Sequence, residues 1–275
     1  MKDWHARSHG SAGSSGSERV DLSRTRRLLI LRLPAGFVDR DHGRLRVIAA
    51  RLAFDEMARL LADPARHGMT VSGGRGGARR VVLPGGQAVY CRRYLRGGLV
   101  RHVVRDLYLL RPERPIAELI VTETARAAGC SVAPVLACAV EDVGPFYRGW
   151  IVTEEVGGAR SLVDVLAEIA ATKRDAILAR VGDALADLYR IGVYHVDLTG
   201  HNVLIRPDGQ PVVIDFDRAR TAAPSSAARS RASLRRFRRS LDKLLGGDGE
   251  PLAPDEWARI ESRASKSAGL DTLRG

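Results

Sequence analysis

Apolar and polar positions follow two different rhythms along this chain, and the rhythm changes near Gly157-Gly158. Before that pair the apolar runs are short and punctuated by glycine. Two of them flank Gly73, Gly74, Gly76 and Gly77, and a second turn sits at Pro84-Gly85-Gly86. That is the pattern of successive hairpins in an antiparallel sheet. "VAPVLACAVEDVGPFYRGWIVTEEV" reads as two more strands and a turn. Two helices interrupt the strands: "RLRVIAARLAFDEMARLLADP", ending near Pro64, and "RPIAELIVTETARAAG", with Gly129 as its C-terminal stop. After the glycine pair, "SLVDVLAEIA" and "KRDAILARVGDALADLYRIG" carry the helical period. The second sets Ile177, Leu178, Val181, Leu185 and Leu188 on one stripe. Beyond "VVIDFDRAR" the chain loosens through "TAAPSSAARSRAS" and enters a basic helix, "SLRRFRRSLDKLLGG".

A strand-rich front of about 130 residues thus precedes a helix-rich back, which is an α+β organisation without internal repeats. The expected divisions are a disordered lead over 1–24, an N-terminal lobe over 25–156 and a helical C-terminal lobe over 157–275. The lead is rich in Ser and Gly and has no apolar stretch of the kind a secretory signal needs.

Composition narrows the partners. The chain is 45% hydrophobic but only 5% aromatic, so its core should be built from Leu, Val, Ile and Ala. A formal charge of +12 favours an anionic partner: nucleic acid, nucleotide phosphates or an acidic membrane surface. A merely basic surface is the plainer reading. Cys91, Cys130 and Cys138 lie in apolar surroundings without metal-ligand spacing, as small core residues in a reducing compartment do. No stretch approaches the roughly 18 to 20 apolar residues that span a bilayer, and the expected location is the cytoplasm.

Chemistry concentrates in two clusters. "GVYHVDLTGHNVLI" places His195, Asp197 and Asn202 between apolar runs, and "VVIDFDRAR" brings Asp215 and Asp217 thirteen and fifteen residues after Asn202. "HNVLIRPDGQPVVID" reads as a hairpin, so Asn202 at its entry and Asp215 at its exit should lie close together. An Asn oxygen beside a carboxylate suits a hard ion such as Mg²⁺. Asp197 is left to act as a base or to orient a hydroxyl. The plainer alternative is that Asp197 and Asn202 only cap turns.

The order His-x-Asp-(x)4-Asn, hairpin, Asp-Phe resembles the catalytic loop and metal-binding motif of the protein-kinase-like superfamily. The resemblance implies a two-lobed fold with an antiparallel-sheet N-lobe and a mainly helical C-lobe. It makes "GGRGG" the phosphate-covering loop and "WIVTEEVGG" the lobe connection, where the backbone at Thr153 to Val156, with Glu154 and Val156, meets adenine. A kinase lysine on the strand "VYCRRY" is absent. Arg92 or Arg93 takes its place, and the two stay open. Glu118 is the first choice for its helix partner and Glu123 the second. His195 braces the loop. For Asp217 three roles stay open: holding Arg218, holding Arg220, or adding to the metal site.

Asp-Phe-Asp in place of Asp-Phe-Gly, and the lack of an Ala-Pro-Glu segment, imply an acceptor other than a peptide. "GGRGG", "RRYLRGGLV", "AELIVTETARAAGCSVAPVLA", "GARSLVDVL", "YHVDLTGHNVLI", "VIDFDRAR" and "LRRFRRSLDKL" resemble the 3-deoxy-D-manno-octulosonic acid (Kdo) kinases of the lipopolysaccharide kinase family, over about residues 70 to 245. That likeness implies transfer of the ATP γ-phosphate to the Kdo 4-hydroxyl of a lipid A precursor. Asp197 would be the catalytic carboxylate, with Asn202 and Asp215 on Mg²⁺. The protein would act as a monomer, peripheral on the cytoplasmic face of the inner membrane. Residues 218–243 hold nine Arg or Lys against one acid, Asp242, a face fit for an anionic glycolipid or membrane leaflet. Leu234, Phe237, Leu241 and Leu244 would turn to the core.

A core heptose kinase is the nearest rival. An aminoglycoside- or choline-type phosphotransferase shares the catalytic loop but needs an acidic acceptor pocket. A pseudokinase has the missing lysine as its only support. A nucleic-acid binder lacks stacking aromatics among the arginines and leaves the acidic clusters unexplained.

Overall fold

The computed structural model describes residues 32–64, 66, 69–70, 78–95, 106–109, 113–221, 226–246 and 251–266. Residues 1–24 and Gly73, Gly74, Gly76 and Gly77 lie outside the described residues, as does most of "YLRGG".

Eight strands form one antiparallel sheet among the described residues: β1 (Phe37–His42), β2 (Leu45–Ala50), β3 (Met69–Thr70), β4 (Arg79–Val82), β5 (Ala88–Arg93), β6 (Tyr108–Leu109), β7 (Val135–Val143) and β8 (Phe146–Glu154). The order is β1-β2-β7-β8-β5-β4-β3, with β6 on β8. Helices cover both faces. Val47, Ala49, Ala137, Ala139 and Val152 pack with Phe54, Met57 and Leu61 of α1 (Phe54–Ala62). Ile48, Cys138, Val140 and Ile151 pack on the other side with Ile116 and Leu119 of α2 (Arg114–Ala127). A strand buried on both faces loses its alternation. That is why the expected helix over 44–64 fails in its first half: Leu45–Ala50 is a strand paired to β1 and β7, and helix begins only at Phe54.

The start of α2 is pressed against β8. A Cβ at Gly149 would lie 2.4 Å from Cγ of Pro115, so the close approach needs glycine. This contact fixes the height of Arg114 and Glu118 over the sheet.

The rest of the chain is mainly helical. β9 (Arg160–Ser161) leads into α3 (Leu162–Glu168), whose cap Ser161 accepts from Asp164 N. Then come α4 (Ala171–Arg190), β10 (Val193–Tyr194), the hairpin β11 (Val203–Ile205) and β12 (Pro211–Val213), β13 (Arg220–Thr221), α5 (Ala227–Leu245) and α6 (Pro254–Lys266). Leu178, Val181, Leu185 and Leu188 of α4 join Leu234, Phe237 and Leu241 of α5 and Trp257 and Ile260 of α6 in one core. The basic helix starts earlier than its sequence suggests, at Ala227 rather than after Ala232, inside the stretch read as loose. Ser230 and Ser233 there are buried, Ser233 donating to His195 O, and tertiary contacts override their weak helix preference.

Candidate active site

A cleft of about 400 Å³ opens between the sheet and the helical region, and residues from separate elements and loops line it, Arg92, Glu118, Val156, Asn202 and Asp215 among them. Each arrives for a local reason. Ile214 N donates to Asn202 O at 2.9 Å, so the β11–β12 hairpin brings its two ends together. Asp215 has φ +65°, the single non-glycine residue with positive φ among the described residues. Such a conformation is costly for a residue with a Cβ and persists where the surroundings hold it. Here Arg92 Nη1 holds its carboxylate at 2.8 Å.

Arg92 also meets Glu118, Nη2 lying 2.8 and 2.9 Å from the two carboxylate oxygens. Of the two arginines on β5, it is Arg92 that meets Glu118 and Asp215. Arg93 points elsewhere, paired with Asp106 and lying over the Trp150 ring, and is not part of the cleft. Residues adjacent in a strand face opposite sides, so one arginine alone could reach α2. Glu118 is 2% exposed. Burial pushes its carboxyl up to about 7 against the opposing pull of Arg92, and the Tyr94 hydroxyl donates to it. Burial by itself would lower the Arg92 guanidinium, but the Glu118, Tyr94 and Asp215 charges raise it above its ordinary value. Glu123 is buried as well. It accepts from Val135 N at 2.9 Å and Arg126 Nε at 2.6 Å, which ties α2 to β7 rather than to the cleft.

At the lobe connection, Glu154 N is spent on Pro134 O and Glu155 N on Ala88 O, each 2.9 Å. Val156 N has no backbone acceptor among the described residues, and the residue lines the cleft.

The segment His195–Asn202 is braced from below. His195 Nε2 lies 3.1 Å from Ile214 O, which can only accept, so Nε2 carries the proton. Burial lowers the imidazole's pKa and keeps it neutral. Its ring leans on Phe216 at 5.3 Å. Asn202 Nδ2 donates to Asp197 O at 3.2 Å, leaving its carbonyl oxygen turned to other use. Gly200 sits so tightly that a Cβ there would lie 2.5 Å from Val163 and 2.8 Å from Leu241.

Asp217 has a partner that was not among the roles left open for it, Arg114. Arg114, the first residue of α2, donates Nε to Oδ1 at 2.7 Å and Nη2 to Oδ2. Nothing in the local sequence signals a partner 103 residues away.

The model of the "Lipopolysaccharide kinase (Kdo/WaaP) family" matches residues 63–262. A 3-deoxy-D-manno-octulosonic acid kinase of Xanthomonas euvesicatoria pv. vesicatoria (strain 85-10) is 36% identical over 193 residues, 69% of this chain and 75% of the relative. One from Stenotrophomonas maltophilia (strain K279a) is 35% identical over 191 residues, 68% and 75% of the two chains. Among solved structures, the MAP kinase LmaMPK10 from Leishmania major aligns with a TM-score of 0.44 at 14% identity, covering 76% of this chain and 64% of its own. The chain belongs to the lipopolysaccharide kinase (Kdo/WaaP) family. It is a phosphotransferase of the kinase type, and the family implies use of ATP.

This lipopolysaccharide kinase has one site residue that its sequence did not single out. The basic helix α5 lies along residues 194–200 and touches them repeatedly. Ser226 N donates to Tyr194 Oη, Ser233 Oγ to His195 O at 3.0 Å, and Gly200 N to Ser240 Oγ at 3.3 Å. Arg236 Nη2 donates to Asp197 Oδ1 at 2.8 Å. By sequence, Arg236 belongs to the basic stretch 218–243 fit for an anionic glycolipid or membrane leaflet. Its 3.6-residue phase with Ser233 and Ser240 was the available signal. The three free cysteines are buried, and burial pushes the Cys91 thiol up to about 12, away from any nucleophilic role.

Proposed function

We propose that this kinase transfers the γ-phosphate of ATP to a hydroxyl of Kdo, the 4-hydroxyl, on a lipid A precursor at the cytoplasmic face of the inner membrane. The observation that carries the reading is the convergence of Arg92, Glu118, Asn202 and Asp215 on one cleft, with the half-exposed Asp197 tied to Asn202 through its backbone oxygen. Relatives 36% and 35% identical to this chain are named for the same acceptor sugar.

Adenine would meet the lobe connection, with Val156 N as donor. Arg92 would hold phosphate oxygens while Glu118 fixes its side chain, and a guanidinium can do so with two parallel bonds. The donors suit Mg²⁺: Asn202 keeps a carbonyl oxygen and Asp215 keeps Oδ2, both hard oxygens. Bound there, the ion would offset the charge of the phosphates. Asp197 would accept the proton of the acceptor hydroxyl as its oxygen bonds to the γ-phosphorus and the bond to the β,γ-bridging oxygen breaks, releasing ADP.

No helix among the described residues is long and apolar enough to cross a membrane. Membrane contact would therefore be peripheral, through the exposed Arg235 and Arg239 of α5.

Transfer of labelled phosphate from ATP with Mg²⁺ to a Kdo-bearing lipid A precursor tests the reading, beside a heptose-bearing acceptor and Asp197→Asn. Label on the Kdo lipid, reduced at least about a hundredfold by the substitution, is the expected result. Label on the heptose acceptor alone would move the substrate and keep the site. No transfer to either, with nucleotide still bound, would favour a pseudokinase.

A further inference from the structure

Beside the nucleotide cleft lies a second cavity of about 300 Å³ that the reaction as described does not use. Its walls are Tyr194, His195 and Val196 from the catalytic segment and Arg229, Ala232 and Ser233 from α5. Arg229 is exposed and pairs with no acid among the described residues. Arg236 lies seven residues further on the same helical face, about 10 Å along the axis, with its guanidinium on Asp197. Val196, 47% exposed, adds an apolar wall, and the buried His195 Nδ1 has no partner. The cavity's wall on the 194–196 side ends one residue before Asp197, and its lining holds one cation, Arg229, and no acidic side chain.

We infer that this cavity is the acceptor subsite and that Arg229 binds an oxyanion of the acceptor. The inference rests on the proposed function. A sugar acid carries a carboxylate at neutral pH, which Arg229 would take while a hydroxyl of the same sugar meets Asp197. Arg236 completes the subsite from the other end. Its ion pair holds Asp197 in place until the hydroxyl arrives, and it then faces the transferred phosphate. The oxyanion recognised by Arg229 is either the sugar carboxylate or a lipid phosphate, since a guanidinium takes both in the same geometry.

The test compares wild type with Arg229→Gln and Arg229→Lys on the full chain. With the Kdo-bearing lipid A precursor, Arg229→Gln should raise the acceptor KM about tenfold or more, with the ATP KM unchanged and Arg229→Lys intermediate. An unchanged acceptor KM would overturn the subsite while leaving the proposed function intact. The carboxyl methyl ester and the dephosphorylated lipid are the two control acceptors. The one on which wild type and Arg229→Gln become equal names the oxyanion; a tenfold difference on both would mean that Arg229 acts without either anion and would overturn the inference. Equilibrium binding of the same lipid in detergent micelles reads the subsite without turnover. Weaker binding by Arg229→Gln supports it even if the wild type proves inactive on Kdo, and equal or absent binding by both overturns it.

Discussion

Arg114 and Asp217 join the first turn of α2 to the residue two places past Asp215. The guanidinium spans both carboxylate oxygens and lies 5.0 Å over the Tyr108 ring and 5.6 Å over that of Tyr94. Burial would lower the Arg114 guanidinium, but Asp217 more than offsets this and raises it. With Arg92 bridging Glu118 and Asp215, two ion pairs tie one helix to one segment. Asp217→Asn should weaken the first tie by about 1–3 kcal/mol, because a charge-assisted bond at a half-buried site is lost. The ATP KM should rise. A double-mutant cycle with Arg114→Gln checks the assignment: the two losses should fall well short of additive, and full additivity would show that the pair does not couple.

The pH dependence of nucleotide binding should follow Glu118. Its carboxyl titrates at about 7 in the folded protein because burial disfavours the charge. A raised carboxyl binds its proton more tightly folded than unfolded. Its contribution to stability is therefore present below the unfolded value near 4.5 and is lost as pH rises through about 7. The functional effect has the opposite sense, since the Arg92–Glu118 ion pair needs the carboxylate. The ATP KM should fall as pH rises through about 7. Glu118→Gln should flatten that limb, and a limb that persists unchanged in the variant would assign it to another group.

The parts of this molecule legible in its sequence are those with local cause. The hairpin turn Pro207-Asp208-Gly209, the stripe Leu178, Val181, Leu185 and Leu188, and the approach of Asn202 to Asp215 all follow from short-range pattern. What was missed is long-range. Leu45–Ala50 reads equally as helix or strand because both its faces are covered, so only its pairing to β7 decides. Arg92 and Arg93 differ only in which side of β5 they face. Arg114 with Asp217, and Arg236 with Asp197, are long-range pairs whose partners no local spacing connects.

Gly149 should tolerate no side chain. Gly149→Ala places a methyl 2.4 Å from Pro115 Cγ, and α2 must lift from the sheet to make room. Overpacking of this kind costs about 1–3 kcal/mol. Because Arg114 and Glu118 ride on the same helix, the melting temperature should fall and the ATP KM rise together. A lower melting temperature with an unaltered ATP KM would show that the helix start does not position the site.

The arginines of α5 should separate into distinct functions by position. Arg236 is held by Asp197, and Arg238 lies 5.6 Å over Trp257 and 3.8 Å from Asp242, whereas Arg235 and Arg239 have no acidic partner among the described residues. Each basic residue near an anionic bilayer contributes about 1 kcal/mol, so Arg235→Gln with Arg239→Gln should weaken binding to vesicles containing anionic lipid by about thirtyfold at low salt. Added salt should erase the difference, because the attraction is screened. Turnover of acceptor dispersed in neutral detergent should stay near wild type in that double variant. Arg236→Gln should do the reverse, lowering kcat in detergent while leaving vesicle binding little changed, since its charge is already spent on Asp197. If the two variants lose vesicle binding equally, α5 presents one undivided basic face and Arg236 has no separate part in catalysis.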